Sequence, residues 1–189
     1  HVHAESPIDL AVVVAYGRLI RMNVLTEIPM VNIHFSKLPR WRGAAPVERA
    51  LLAGDESTAV TVMTVAEALD EGDVWASQDV AIESDDTVES LWASMSEIGA
   101  SLLTDTMSTG FRDPSPQVGE VTYATKLATE DLRLDWNQPA AVLDRIVRVG
   151  DAWTSFRGAR FKIHEARPRP ESAPESDDIA PGRIETLLV

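Results

Sequence analysis

Asn32, His34 and Asp70 have the side-chain chemistry to move an acyl group. From Val31 onward the residues alternate as a strand alternates. Asn32, His34 and Ser36 therefore share one face, and Val31, Ile33 and Phe35 share the other. A carboxamide at Asn32 can donate to an oxygen gaining negative charge, and an imidazole at His34 can donate beside it or exchange a proton near neutral pH. That pair suits acyl or formyl transfer. The chain has no cysteine and no serine in a G-x-S-x-G elbow, so direct attack by an external amine is simpler than a covalent acyl-enzyme. Such an attack needs a base. The candidate is Asp70, in the turn-like Leu69-Asp70-Glu71-Gly72-Asp73 that follows the apolar run Val60 to Val65. Each residue also has a plain structural reading: a histidine among apolar neighbours often makes a buried hydrogen bond, and an aspartate in a turn often binds local backbone.

These groups need elements to position them. The continuous β-branched run Ile8 to Ala15 predicts a strand buried on both faces of a parallel sheet, ended by Tyr16-Gly17-Arg18. A short helix to about Leu25 and a turn at Pro29 lead into the strand carrying Asn32. Pro39 is expected to stop that strand, Arg40-Trp41-Arg42-Gly43 to form a compact loop, and Pro46 to open a helix over Val47 to Leu52 that ends at Gly54. Thr58 to Val65 predicts a strand that brings Asp70 close to the Asn32 face if the two strands are neighbours. Val74 to Ile82 predicts a further strand, and Ser84-Asp85-Asp86-Thr87 the cap of a helix from Val88 to Met107. Gly110 to Gly119, with Pro114 and Pro116, reads as a boundary. Beyond it come an amphipathic helix over Ala140 to Val149 and a hairpin of Trp153 to Phe156 and Ala159 to Glu165 around Arg157-Gly158. Pro168 to Pro181, proline-rich and acidic, reads as a mobile loop. His1 and His3 lack further ligands and a rigid frame, so no metal site is expected there.

At 189 residues and 44% apolar, the chain can bury a real core. No apolar run approaches the roughly 18 residues of a membrane span. The lack of cysteine fits a reducing cytoplasm, and no signal peptide is expected. The net charge of −13 works against a nucleic-acid partner, yet the charge is uneven. Residues 55–135 hold 18 acidic side chains against 3 basic ones. Lys37, Arg40, Arg42 and Arg49 form one basic island, and Arg145, Arg148, Arg157, Arg160, Lys162, Arg167 and Arg169 form another. These islands read either as ordinary surface charge or as a track for an RNA backbone.

The string Asn32-x-His34-x-Ser36-x-Leu38-Pro39-Arg40-Trp41-Arg42-Gly43-Ala44-Ala45-Pro46 resembles the signature of the 10-formyltetrahydrofolate-dependent formyltransferases, and its second half that of their methionyl-tRNA branch. The similarity runs on through Ala53-Gly54-Asp55, Thr61-Val62-Met63, Leu69-Asp70-x-Gly72-Asp73, Thr122-Tyr123-Ala124-x-Lys126-Leu127 and Leu134-Asp135-Trp136. The resemblance implies an α/β fold: a partial Rossmann-like formyltransferase sheet, followed by the beginning of a C-terminal OB-like β-barrel domain. In that frame residues 1–119 are the second half of the catalytic domain, 120–136 a linker and 137–189 the start of the barrel.

The same resemblance makes Asn32, His34 and Asp70 the catalytic triplet, with 10-formyltetrahydrofolate as formyl donor and no metal. It implies donor contacts at Tyr16, Gly17, Arg18 and Leu19, and at Ser36, Leu38 and Pro39. Initiator methionyl-tRNA is the implied partner, met by Arg40, Arg42, Arg145 and Arg148, in a monomeric cytoplasmic enzyme of translation initiation. Two residues depart from the family pattern: Lys37 stands where leucine is preferred, and Ala68 where glycine is usual before Leu69-Asp70. The family's first strand-helix units have no counterpart before His1, so the chain is expected to be a piece of a longer enzyme with an exposed sheet edge. Two other readings stay open: formyl transfer to an amino-sugar nucleotide or ribonucleotide amine, and a non-catalytic RNA-binding remnant.

Overall fold

The β-branched runs pair into one mixed sheet. In the computed structural model, which describes residues 8–17 and 19–168, the first unit holds β1 (Ala11–Val14), α1 (Met22–Leu25), β2 (Met30–His34), β3 (Arg42–Gly43), α2 (Pro46–Ala53), β4 (Ser57–Thr64), β5 (Val74–Ala81), α3 (Val88–Thr109) and β6 (Tyr123–Ala124). The sheet order is β1-β2-β4-β5, with β1 parallel to β2 and the other pairs antiparallel. β2 and β4 are neighbours, with Asn32 opposite Met63 and His34 opposite Thr61.

One face of the sheet is closed by α2 and α3. Phe35, Val47, Val60, Leu91 and Met95 form the buried cluster, with Ile33, Trp92 and Ile98 packed against it. A Cβ on Gly99 of α3 would stand 3.0 Å from Ile33 Cγ2 and 3.5 Å from Phe35, so the apolar row of β2 faces the helix. Asn32 and His34, one residue out of phase, face the other way. Thr87 caps α3 by accepting from the Ser90 amide, and the Ser90 hydroxyl accepts from the Thr87 amide in return. Pro46 sits in the first turn of α2, whose C-cap Gly54 has φ +77°.

Three expectations need correction. β1 is parallel to β2 but is not buried on both faces: Val12 and Val14 are 43% and 51% exposed, because β1 ends the sheet and no described helix covers that side. The strand carrying Asn32 ends at His34 rather than at Pro39. Arg42–Gly43 is not loop but a short strand, parallel to β6.

Contacts divide the chain into residues 1–127 and 128–189. The second unit carries a 3-10 turn (Thr129–Leu132), α4 (Ala140–Val149), β7 (Trp153–Phe156) and β8 (Ala159–Lys162). β7 and β8 form an antiparallel hairpin turning through Arg157 and Gly158 at positive φ, as expected. His1, His3, Arg18, and the Pro168 to Pro181 loop beyond Pro168 lie outside the described residues.

Candidate active site

The polar face of β2 opens into a cleft of about 590 Å³. Asn32, His34 and Asp70 all line it. β2 places the first two. Asp70 arrives on the loop after β4, which folds back so that Thr64 N–H donates to the Asp73 carbonyl at 2.9 Å. The turn at Asp70 is tight, with its own φ at +52°.

His34 is 5% exposed. Its Nε2 lies 2.8 Å from the Trp41 carbonyl oxygen, which can only accept, so Nε2 carries a hydrogen. Nδ1 is then the nitrogen left for chemistry, and it stands 3.8 Å from Asp70 Oδ2. Burial pushes the imidazole below its usual range; Asp70 and the Trp41 carbonyl push the other way without overcoming it. Asp70 Oδ2 also accepts from the Gly43 amide at 2.8 Å. Among the described residues, the Asn32 carboxamide has no hydrogen-bond partner, so it faces the cleft with its donors unused.

Gly43 is required where it stands. Its φ is +117°, and a Cβ would lie 2.8 Å from the Ala124 carbonyl oxygen of β6. At Gly72 a Cβ would meet the Thr64 carbonyl oxygen at 1.9 Å. The close turn around Asp70 thus depends on two glycines.

The donor-wall residues divide. Tyr16, Gly17 and Leu19 line the cleft. Ser36, Leu38 and Pro39 do not, and their expected role needs correction: Ser36 is fully buried with its hydroxyl donating to the Arg40 carbonyl at 2.6 Å, and Leu38 and Pro39 are buried within the turn that this bond closes. Lys37 points to solvent and pairs with Asp79 at 2.8 Å. Ala68 lines the cleft with no positive φ, so the missing glycine there strains nothing.

The arginines divide too. Arg42, expected to meet RNA, is 8% exposed and turned inward: its Nη1 donates to Glu71 Oε1 at 2.7 Å, and its Nε and Nη2 to Gln117 Oε1. Arg40 is half-exposed, forks onto Asp55 at 2.7 and 2.9 Å, and lies 4.5 Å from the Trp41 ring centroid. Arg145 and Arg148 are half-buried on α4, Arg148 bound to Asp144 at 2.9 Å.

The sequence profile of the formyl transferase family matches residues 1–107, and that of the formyl transferase C-terminal domain matches residues 126–187. The chain belongs to the formyl transferase family. It is 43% identical over 188 residues to a methionyl-tRNA formyltransferase of Streptomyces coelicolor, covering 93% of this chain and 59% of that protein. The chain thus spans about three fifths of the length of such relatives. Among solved structures, methionyl-tRNA formyltransferase from Clostridium thermocellum superposes with TM-score 0.69 at 17% identity over 86% of this chain and 72% of that one. HypX from Aquifex aeolicus in complex with tetrahydrofolic acid superposes with TM-score 0.72 at 23% identity over 86% of this chain and 30% of that one. These likenesses establish the fold: a mixed α/β Rossmann-like formyltransferase unit followed by a small β-containing C-terminal domain.

Several cleft residues were not read from the sequence as site residues. Met63, Val65, Ala66 and Leu69 bring apolar surface from the β4 end and the Asp70 loop, and Trp92 brings it from α3. The alternation of β4 could have marked Met63 and Val65; nothing in the spacing marks Trp92. In the second unit, Arg133 and Arg160 lie 5.6 and 4.6 Å from the Trp153 ring centroid, and Arg157 5.2 Å from that of Phe156. These three arginines are more exposed than the Arg145 and Arg148 named from sequence.

Proposed function

We propose that this chain carries the catalytic groups for transfer of a formyl group from 10-formyltetrahydrofolate to the α-amine of methionyl initiator tRNA, in the cytoplasm, for translation initiation. One observation carries the reading: the Asn32 carboxamide, without a hydrogen-bond partner among the described residues, opens into the same cleft as the His34–Asp70 pair. The cleft suits a flat donor. Its volume lies within the roughly 300–1,000 Å³ range of small-molecule sites, and Tyr16, Leu19, Val65 and Leu69 give it apolar walls. When bound, the donor supplies the formyl group and a nitrogen that leaves with a proton.

Asn32 donates to the formyl oxygen as the amine attacks and negative charge collects there. His34 and Asp70 manage the proton. The base expected at Asp70 is reassigned: with Nε2–H held by Trp41, a neutral His34 offers the Nδ1 lone pair to the attacking amine, and Asp70 favours the imidazolium that results. That imidazolium then presents Nδ1–H, a second donor beside the oxyanion and a proton for the leaving nitrogen. One C–N bond forms, one breaks, and the proton passes from the amine to the leaving nitrogen.

For the acceptor, Arg40 is the half-exposed cation near the cleft loop, and the arginine-aromatic face of the β7–β8 hairpin offers charge and flat rings to an RNA strand. The test joins this chain to the N-terminal region of a methionyl-tRNA formyltransferase relative and supplies 10-formyltetrahydrofolate. Formylmethionyl-tRNA is the expected product. Formylation of an amino-sugar nucleotide with methionyl-tRNA left untouched would replace the acceptor, and RNA binding with no formyl transfer would overturn the reading.

A further inference from the structure

Gln117 lies in the segment after α3, between two prolines and a glycine, where the sequence reads as a boundary. That segment is in fact pinned to the first unit: the Ser115 and Val74 backbones exchange hydrogen bonds at 2.9 and 2.8 Å, and Arg42 N–H donates to the Thr122 carbonyl at 2.9 Å. From it the Gln117 amide reaches under the Asp70 turn. Nε2 donates to the carbonyl of Asp70 at 2.8 Å and to that of Gly72 at 2.9 Å, while Oε1 accepts from Arg42 Nη2 at 2.8 Å and Nε at 3.1 Å. The orientation is fixed by the partners, since carbonyls only accept and a guanidinium only donates.

We infer that Gln117 is a positioning residue for Asp70: one carboxamide holds the backbone on both sides of the tight turn and locks it to Arg42, whose neighbour Gly43 donates to the Asp70 carboxylate. The inference rests on the catalytic role proposed for Asp70. Other bonds hold the ends of the turn, Thr64 N–H to the Asp73 carbonyl and the Gly43 amide to the Asp70 carboxylate, but the Gln117 amide is the side chain that binds the carbonyls of Asp70 and Gly72. Glu67, Ala68 and Leu69 are exposed, and Asp70 sits at positive φ. Arg42 completes the frame through Glu71. Among the natural side chains, only a neutral amide supplies two donors and an acceptor, and asparagine is a methylene short of the reach. Gln117 touches no reacting atom; it acts through Asp70.

The test uses the intact 189-residue chain and NMR. The His34 ring resonance is assigned by its loss in His34→Gln and titrated in wild type, Asp70→Asn and Gln117→Met. Asp70→Asn removes the carboxylate facing Nδ1, so the His34 titration moves to lower pH. Gln117→Met changes no charge, so a shift there reports displacement of Asp70. The expected result is a shift in the same direction, roughly half as large or more. The Gly43 amide, whose hydrogen bond ends on Asp70, should exchange about tenfold faster in Gln117→Met.

A merely structural glutamine would lower the melting temperature but leave the His34 titration and Gly43 exchange as in wild type, and that result overturns the inference. If Gln117→Met fails to fold, Gln117→Glu decides. It keeps an acceptor for Arg42 and loses both donors, so Gly43 exchange should still rise, and unchanged exchange overturns the inference. If Asp70→Asn itself leaves His34 and Gly43 unmoved, then the His34–Asp70 pairing has failed, a result distinct from failure at Gln117 alone.

Discussion

His34 Nδ1 stands 3.8 Å from Asp70 Oδ2 while its Nε2 hydrogen is committed to the Trp41 carbonyl. His34 is buried, and burial lowers the affinity of the imidazole for a proton in the folded state. The sign of the consequence follows. An unfolded histidine takes up its proton near pH 6.5, and the folded one resists until lower pH, so below about 6.5 the unfolded state binds more protons. Stability from this site is complete above that pH and is lost as pH falls toward the folded value, at up to about 1.4 kcal/mol per pH unit. Urea unfolding at a series of pH values between 7.5 and 5 should therefore show a steeper acid loss in wild type than in His34→Gln. Equal slopes would mean that His34 is not held neutral by burial.

The turn that presents Asp70 is built on Gly43 and Gly72. Gly43→Ala forces a side chain into a left-handed backbone and against the Ala124 carbonyl, and should lower stability by about 1–3 kcal/mol. Gly72→Ala meets backbone far closer, at 1.9 Å from Thr64 O, and should lose more than Gly43→Ala in the same denaturation experiment. The reverse order would show that the Thr64–Gly72 approach can relax.

Charge alone gave Arg40 and Arg42 the same reading, but their environments separate them. Arg42→Ala leaves Glu71 and Gln117 without their cation and should reduce both stability and activity, whatever the acceptor. Arg40→Ala removes a half-exposed cation; it should weaken tRNA binding and reduce the steepness of its salt dependence by about one phosphate contact, with little loss of stability. Filter binding across salt concentrations, with melting curves for both variants, separates the two.

The elements built on local pattern were legible from the sequence. The β-branched run of β4, the capping box of α3, the Pro46 and Gly54 ends of α2, and the amphipathic period of α4 all state their structure within a few residues. What depends on distant partners was not. The exposure of Val12 and Val14 is a matter of sheet order, which no run of valines records. Ser36 looked like part of a polar row facing the cleft, but it turns to the Arg40 carbonyl because the chain bends after His34. At the site, the Asn32–His34 alternation was readable from spacing, and Asp70 from its turn after an apolar run, but what ties Asp70 to them, the β2–β4 pairing and the Gly43 amide, lies in distant partners. Gln117 was hidden because a residue directly after Pro114-Ser115-Pro116 reads as part of a break until the segment is seen folded back onto Val74.

The most direct measurement is single-turnover formyl transfer by Asn32→Ala, in this chain joined to a relative's N-terminal region. Removing one oxyanion donor should lower the rate about a hundredfold or more while leaving donor binding nearly unchanged, because the Asn32 carboxamide has no hydrogen-bond partner among the described residues and acts on the charge that develops in the reaction. A rate equal to wild type would contradict the account and take the reacting carbonyl away from the β2 face.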